Sequence, residues 1–314
     1  MNYPVILFVY NRPDLTERTL QSLKNNLLAE VSDLYIYSDC YKSLEDKLKV
    51  EQVRSLIRDI EGFKSVTIFE ATSNKGLANS VIDGVTTIIK KSEGVIVIED
   101  DLLTSPYFLS YMNSALNYYK DHNNIWSISG YNPVEVKDII QNKDVYFTGR
   151  ASSWGWATWN NRWILNNWDL DSETEDIFIN KVKQRSFNEY GNDLVPMLKD
   201  QKNKNIDSWA IRWCFNQFLR DSYTVYPSES LVQNLGLIGE STHGSIKSTA
   251  NKVRISDKYS FEFSDLYLNS HIINKFKKHY DLKIHNHFGF LLKKLKIYKP
   301  VKKMLRKTTN VLGG

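Results

Sequence analysis

The chain has 314 residues, 42% of them hydrophobic and 25% charged, an ordinary globular balance with enough length for one large or two small packed domains. Its net charge of +5 is unevenly placed: eight Lys/Arg and no Asp/Glu lie between His285 and Gly314, so the remainder carries −3. Basic charge confined to one end is not the folded basic face of a nucleic-acid binder, and no nucleic-acid partner is expected.

Pro4–Val9 is a short apolar run and reads as a buried strand. Asp14-Leu-Thr-Glu17 has the form of a capping box, opening a helix through about Leu27. Leu34–Ser38 is a second strand. Leu44, Leu48, Val53, Leu56, Ile57 and Ile60 keep helical spacing. Val66–Phe69 is a third strand, and Leu77, Val81, Val85, Ile88 and Ile89 mark the next helix. Gly94–Ile98 is a fourth strand, apolar throughout. Strand and helix alternating with short connections predict a parallel sheet covered by helices on both faces. Ligands of such sheets sit beyond the carboxyl ends of the strands, so the polar residues after each strand are the candidates.

After Asp101 the pattern changes. A helix is expected from about Pro106 to Lys120, then a strand over Ile125–Ser129, aromatic-rich irregular segments, and a helical stretch near Ser208–Arg220. This half is expected to finish the sheet and build a second substrate side. From His285 the chain again looks helical, with Phe288, Leu291, Leu292 and Leu295 on one face and lysines elsewhere. That is either a basic amphipathic element for an anionic membrane surface or a terminal helix or basic tail of no special function. Cys40 and Cys214 imply neither a disulfide framework nor a zinc site, and a reducing compartment is expected. No secretory leader is expected, and no apolar run approaches the roughly 20 residues of a membrane span.

The strongest chemical signal is Glu99-Asp100-Asp101, three carboxylates closing an apolar strand at the ligand edge. Uncompensated, they repel one another and raise their own pKa values. Mn²⁺ or Mg²⁺ resolves this, since hard cations take carboxylate and phosphate oxygens; otherwise the triplet is a solvated turn. Strand alternation puts Glu99 and Asp101 on one side and Asp100 on the other. Asn11-Arg12 and Ser38-Asp39-Cys40 follow the first two strands. Arg12 suits a diphosphate or a surface ion pair, and Asp39 suits a base N–H or a turn cap. In Asn74-Lys75-Gly76, Gly76 permits close approach to an anion at a helix N-terminus, or makes an ordinary turn. Trp154, Gly155 and Trp156 open a tryptophan-dense run that suits an acceptor platform or a core layer. Asp207 is either the carboxylate that takes an acceptor proton or part of a helix cap. His243, in a Gly-rich loop, is a further metal ligand on a closing loop or a solvated histidine.

Together these residues resemble the GT-A glycosyltransferases, and more closely the inverting family of the GlcNAc-transferase that starts complex N-glycans, with its bacterial relatives. The likeness covers roughly residues 3–245. It is carried by Val97-Ile-Glu-Asp-Asp-Leu102, Ser105-Pro-Tyr-Phe108, Trp126-Ser-Ile-Ser129, the Trp154-Gly-Trp-Ala-Thr-Trp159 run and Ser241-Thr-His-Gly244. It implies a mixed, mainly parallel α/β sheet flanked by helices. It implies one catalytic domain over 1–284, divided into a nucleotide-sugar half (1–101) and an acceptor half (102–284), with 285–314 as the tail. It implies Asp101 as the direct metal ligand, Asn11, Arg12 and Asp39 on the nucleotide and His243 near a closing loop, with UDP the expected nucleotide; position and chemistry add His243 as a second candidate metal ligand and Asn74, Lys75, Gly76, Glu99 and Asp100 about the nucleotide-sugar. Transfer is expected to invert the anomeric carbon by single displacement. One departure stands out: the family places an acid directly before a Trp as its base, whereas this chain has Ser208 there and Asp207 one residue earlier. The tail points to a lipid-linked or lipopolysaccharide acceptor and to a cytoplasmic protein peripheral on the inner face of the membrane. The competing readings are a sugar-1-phosphate nucleotidyltransferase and a non-catalytic membrane-associated sugar-binding protein.

Overall fold

The computed structural model describes residues 2–140, 143–170, 174–236 and 254–281. His243 and the basic tail from 285 lie outside the described residues.

Four parallel strands form the first half of the sheet: β1 (Val5–Val9), β2 (Asp33–Ser38), β3 (Ser65–Glu70) and β4 (Gly94–Glu99), side by side in the order β3-β2-β1-β4. β1 and β4 are apolar because both of their faces are covered; β1 is buried at every position. β2 alternates Leu34 and Ile36 inward with Tyr35 and Tyr37 on the other face, the period expected of a strand whose two faces differ. Between these strands run α1 (Pro13–Lys24), α2 (Leu44–Arg58) and α3 (Leu77–Ile89). α1 differs from the capping-box expectation. It starts at Pro13 with Arg12 at the cap position and no side-chain cap, and it ends at Lys24. Proline at the first helical position needs no N–H and presets φ, so it fixes the start one residue before Asp14.

The second half extends the same sheet. After the short β5 (Leu102–Thr104) and α4 (Phe108–Tyr119) come β6 (Ile125–Ser129), the one-turn α5 (Lys137–Ile140), β7 (Val145–Thr148) and β8 (Trp156–Trp159). Then follow α6 (Asn160–Trp163), α7 (Thr174–Ile179), α8 (Lys181–Phe187), α9 (Leu194–Lys202), α10 (Trp209–Leu219), β9 (Tyr223–Pro227), β10 (Val232–Asn234) and α11 (Ser270–Tyr280). The eight-stranded order is β3-β2-β1-β4-β8-β6-β9-β7, with β8 antiparallel to both β4 and β6, and β7 antiparallel to β9. β5 and β10 make a separate antiparallel ribbon.

The antiparallel insertion of β8 decides where the tryptophans go. Trp156 pairs with Val97 and Ser129 in register. Its side chain is 1% exposed and packs on Trp163, Trp209 and Trp213 at ring-centroid distances of 5.7, 5.0 and 5.8 Å. Trp156 is therefore core, which corrects its reading as an acceptor contact. Trp126 and Trp168 join the same indole cluster. Gly155 is buried with φ +57°, and a Cβ there would stand 2.9 Å from Val232 Cγ1 and 3.1 Å from Phe108 Cε2. Packing and backbone conformation alone thus require glycine there.

α3 closes on the sheet through Gly84. A Cβ at that position would lie 2.8 Å from Phe8 Cε1 and 3.2 Å from Tyr37 Cε2, in rings already stacked on one another at 5.4 Å and onward to Phe69 at 4.6 Å. Gly84→Ala gains about 1 kcal/mol of helix propensity and meets overpacking of about 1–3 kcal/mol. Because Phe8 is buried and Tyr37 is stacked between Phe8 and Phe69, we expect net destabilisation in urea unfolding; a more stable variant would contradict this packing.

Candidate functional site

Parallel strands end on one edge, and there the polar residues converge. A cleft of about 350 Å³ is lined by Asn11 and Arg12 after β1, Asp39 after β2, Asn74 and Gly76 before α3, and Glu99, Asp100 and Asp101 at the end of β4. Phe8 and Tyr37 form its aromatic wall, and Lys42 stands at its margin. Of the residues expected about the donor, Lys75 alone is absent from this lining. Its ammonium pairs with Asp83 at 3.0 Å.

The three acids do not follow strand alternation to the end. β4 stops at Glu99, and Asp100 and Asp101 belong to the turn that follows. Asp100 is buried and accepts the Tyr10 N–H at 3.0 Å, which ties the ends of β1 and β4 together. Asp101 takes the Arg12 guanidinium at 2.9 Å and the Asn234 amide at 3.3 Å, while its carbonyl accepts the Leu235 N–H at 2.7 Å. Burial, with repulsion from Asp101 and Asp100, pushes Glu99 up to about 8. Burial likewise pushes Asp100 up to about 6, against the pull of the Tyr10 N–H. Burial raises Asp101 as well, with Arg12 opposing. Among the described residues, no three His, Cys, Asp or Glu are arranged to hold a metal by themselves.

Asp39 takes the second of the two roles open to it, that of a turn cap. Its Oδ1 accepts the N–H of Cys40 at 2.8 Å and of Lys75 at 2.9 Å; its Oδ2 accepts the N–H of Gly76 at 2.9 Å and the Asn74 amide at 3.1 Å. The anion at this helix approach is thus supplied by the chain itself. Gly76, at φ +77° and ψ 158°, makes the bend that aims these donors inward. Asn11 is likewise held from within, donating to Asp46 at 2.7 Å. Both residues still line the cleft, as walls whose geometry is fixed.

The structure does not bring Asp207 to this cleft. It precedes Ser208, which caps α10 by accepting the Ile211 N–H at 3.4 Å. Its carboxylate is 59% exposed and pairs with Arg212 at 3.0 Å. Trp154 is half-buried, edge-on to Tyr131 at 4.5 Å. It lines a second cavity of about 210 Å³ beneath α10.

Residues that sequence reading did not single out also shape the cleft. Asn234 reaches Asp101 from 133 positions away, a contact that no local pattern announces. Tyr37 had a visible signal, since alternation in β2 turns Tyr35 and Tyr37 away from the core face that holds Leu34 and Ile36.

No family model matches this sequence, and no curated protein matches it. Among solved structures the chain is similar to a Pyrobaculum calidifontis mannosyltransferase in complex with GDP-Man and Mn²⁺, at 15% identity and a TM-score of 0.36, covering 50% of this chain and 45% of that one. It is similar to residues 1–349 of Staphylococcus aureus TarS, at 12% identity and a TM-score of 0.41, covering 74% and 60%. It is also similar to a UDP-glucose pyrophosphorylase complexed with UDP-glucose, at 11% identity and a TM-score of 0.35, covering 72% and 90%. The chain spans less than two thirds of the length of the first two. These are loose likenesses, and the functional reading rests on the cleft itself.

The raised acids have a consequence for stability. From about pH 4.5 to about pH 8 the folded chain holds a proton on Glu99 that the unfolded chain has released, and Asp100 adds to this up to about pH 6. Stability of the metal-free protein therefore falls as pH rises through that window. Urea midpoints in EDTA should drop between about pH 5 and about pH 8, and Glu99→Gln should flatten the drop and raise the midpoint at the upper end. An unchanged slope in the variant would show that Glu99 is not the titrating group.

Proposed function

We propose that the protein is a glycosyltransferase that moves a sugar from a nucleoside-diphosphate donor, UDP-linked by our reading, to a hydroxyl of a saccharide or lipid-linked saccharide. The observation that carries this is the convergence of Arg12 and the acid triplet in one cleft at the carboxyl edge of the parallel strands. A guanidinium suits a diphosphate, and the edge is where such sheets bind nucleotides.

The donor set also supports a divalent cation. Three acids meet one guanidinium; burial raises all three, and repulsion from their neighbours adds to it at Glu99 and Asp100. An ion of the Mg²⁺ or Mn²⁺ kind is commonly held by one or two carboxylates together with substrate phosphates and water, not by a cage of protein ligands. Asp101, and Glu99 beside it, fit that role. When bound with the donor, such an ion stabilises the negative charge that develops on the leaving diphosphate.

The chain's own residues do the rest. Arg12 is 48% exposed, free enough to turn from Asp101 to a phosphate. Asp100, anchored on the Tyr10 N–H, holds the turn in place. The loop clamped by Asp39 keeps the cleft's far wall rigid, so that binding does not have to order it. We assign attack by the acceptor hydroxyl in a single inverting displacement: the new bond forms at the anomeric carbon as its bond to the diphosphate oxygen breaks, and the hydroxyl proton passes to solvent. Asp207 is given no part in it, since it lies outside the lining of both cavities.

Calorimetry should detect a nucleoside diphosphate binding with Mn²⁺ and much more weakly in EDTA. Asp101→Asn should weaken the metal-dependent component by about tenfold or more while leaving the thermal midpoint intact or higher. Near-normal metal-dependent binding, or near-normal sugar transfer, by that variant would remove the basis of this reading.

A further inference from the structure

The second cavity lies on the same edge of the sheet. β8 runs antiparallel to β4 with Trp156 opposite Val97. Two residues beyond Val97 is Glu99; two residues before Trp156 is Trp154. β10 joins the two places: Val232 packs where a Gly155 Cβ would be, and Asn234 donates to Asp101. One three-residue strand thus borders both the acid triplet and the segment that carries Trp154.

The cavity's walls have a consistent chemistry. Tyr131, Trp154 and Tyr280 are aromatic, Ser152 and Ser153 present hydroxyls, and Arg150 is a buried donor. Arg150 is held by Asp193 through both terminal nitrogens, at 2.7 and 2.9 Å, and lies over the Tyr280 ring at 3.8 Å. A guanidinium has five N–H groups. Asp193 takes two of them, and no other acceptor among the described residues takes the rest. Arg150 lines the cavity, where an oxygen-bearing occupant would meet those remaining N–H groups. Asp193 cancels the charge, no lysine lines the cavity, and His279 is lowered by burial and by Arg150, so it is neutral at pH 7. The occupant that fits is uncharged, with an apolar face for the rings and a rim of oxygens for Arg150 and the serines.

We propose that this cavity is a saccharide subsite, taking a neutral sugar ring of the acceptor against Trp154 and Tyr131, with ring oxygens on Arg150 and Ser153. Saccharide binding is a property of the cavity itself; its role as the acceptor side rests on the transferase reading above.

The test is saturation-transfer NMR on the full chain with methyl glucoside, methyl galactoside and methyl N-acetylglucosaminide, beside methyl glucuronide. At least one neutral glycoside should give a signal. Ser153→Phe, which fills the cavity from a half-buried position outside the core, should weaken that binding by about tenfold or more, and Trp154→Leu should weaken it too. Binding of Mn²⁺ with UDP in Ser153→Phe should stay within about twofold, since Ser153 does not line the acidic cleft. No signal from any neutral glycoside, an unchanged signal in Ser153→Phe, or binding of the glucuronide alone would overturn the assignment. Saccharide binding that responds to Ser153→Phe in a protein that takes no Mn²⁺ with UDP would uphold the subsite and defeat the transferase reading.

Discussion

Three adjacent carboxylates at the end of a buried strand repel one another, and among the described residues one guanidinium, Arg12, pairs with them. An arrangement of this kind costs folding free energy, because buried charge is poorly solvated and only part of it is paired. The sheet carries that cost by holding the acids from behind. β4 is packed on both faces, the Tyr10 N–H fixes Asp100, and Asn234 fixes Asp101 from the other half of the chain. Acids whose ionisation is held back by burial are thus kept in the folded state, facing a cleft, where a cation favours their charged form.

The rest of the edge is built to keep that cleft open and stiff. Asp39 gathers donors from Cys40, Asn74, Lys75 and Gly76, so the approach to α3 has its anion before any ligand arrives. Phe8, Tyr37 and Phe69 stack across three strands in register, and Gly84 lets α3 lie close against two of them. The antiparallel β8 then carries Trp154 to the same edge and sends Trp156 into the core. Adjacent residues in one aromatic run end up with opposite roles.

Much of the first half was legible because its signals are local. Apolar runs of strand length alternating with helical spacing gave four parallel strands, and the polar residues after them gave eight of the fifteen residues that line the cleft. What local pattern does not encode is which partner a polar group finds. Asp39 and Gly76 each suited either a ligand or a turn, and they bind each other, because the loop that follows β3 folds back onto the end of β2. The α1 cap was misplaced because Pro13 and the capping-box pattern compete for the same turn, and proline wins. Trp156 was ambiguous because composition cannot tell a platform from a core layer; its register with Val97 decides it. Asp207 looked like a base by its place before an aromatic helix, but in three dimensions its partner is Arg212.

The central claim is that the acid triplet grips a cation which in turn meets a diphosphate held by Arg12. A crystal grown with Mn²⁺ and a nucleoside diphosphate, measured at the manganese absorption edge, addresses it directly. The account predicts an anomalous peak in coordinating contact with Asp101, with the Arg12 guanidinium turned from Asp101 to the phosphates. A nucleotide bound elsewhere, or bound in this cleft with no manganese peak beside Asp101 and the Arg12–Asp101 pair intact, would contradict it.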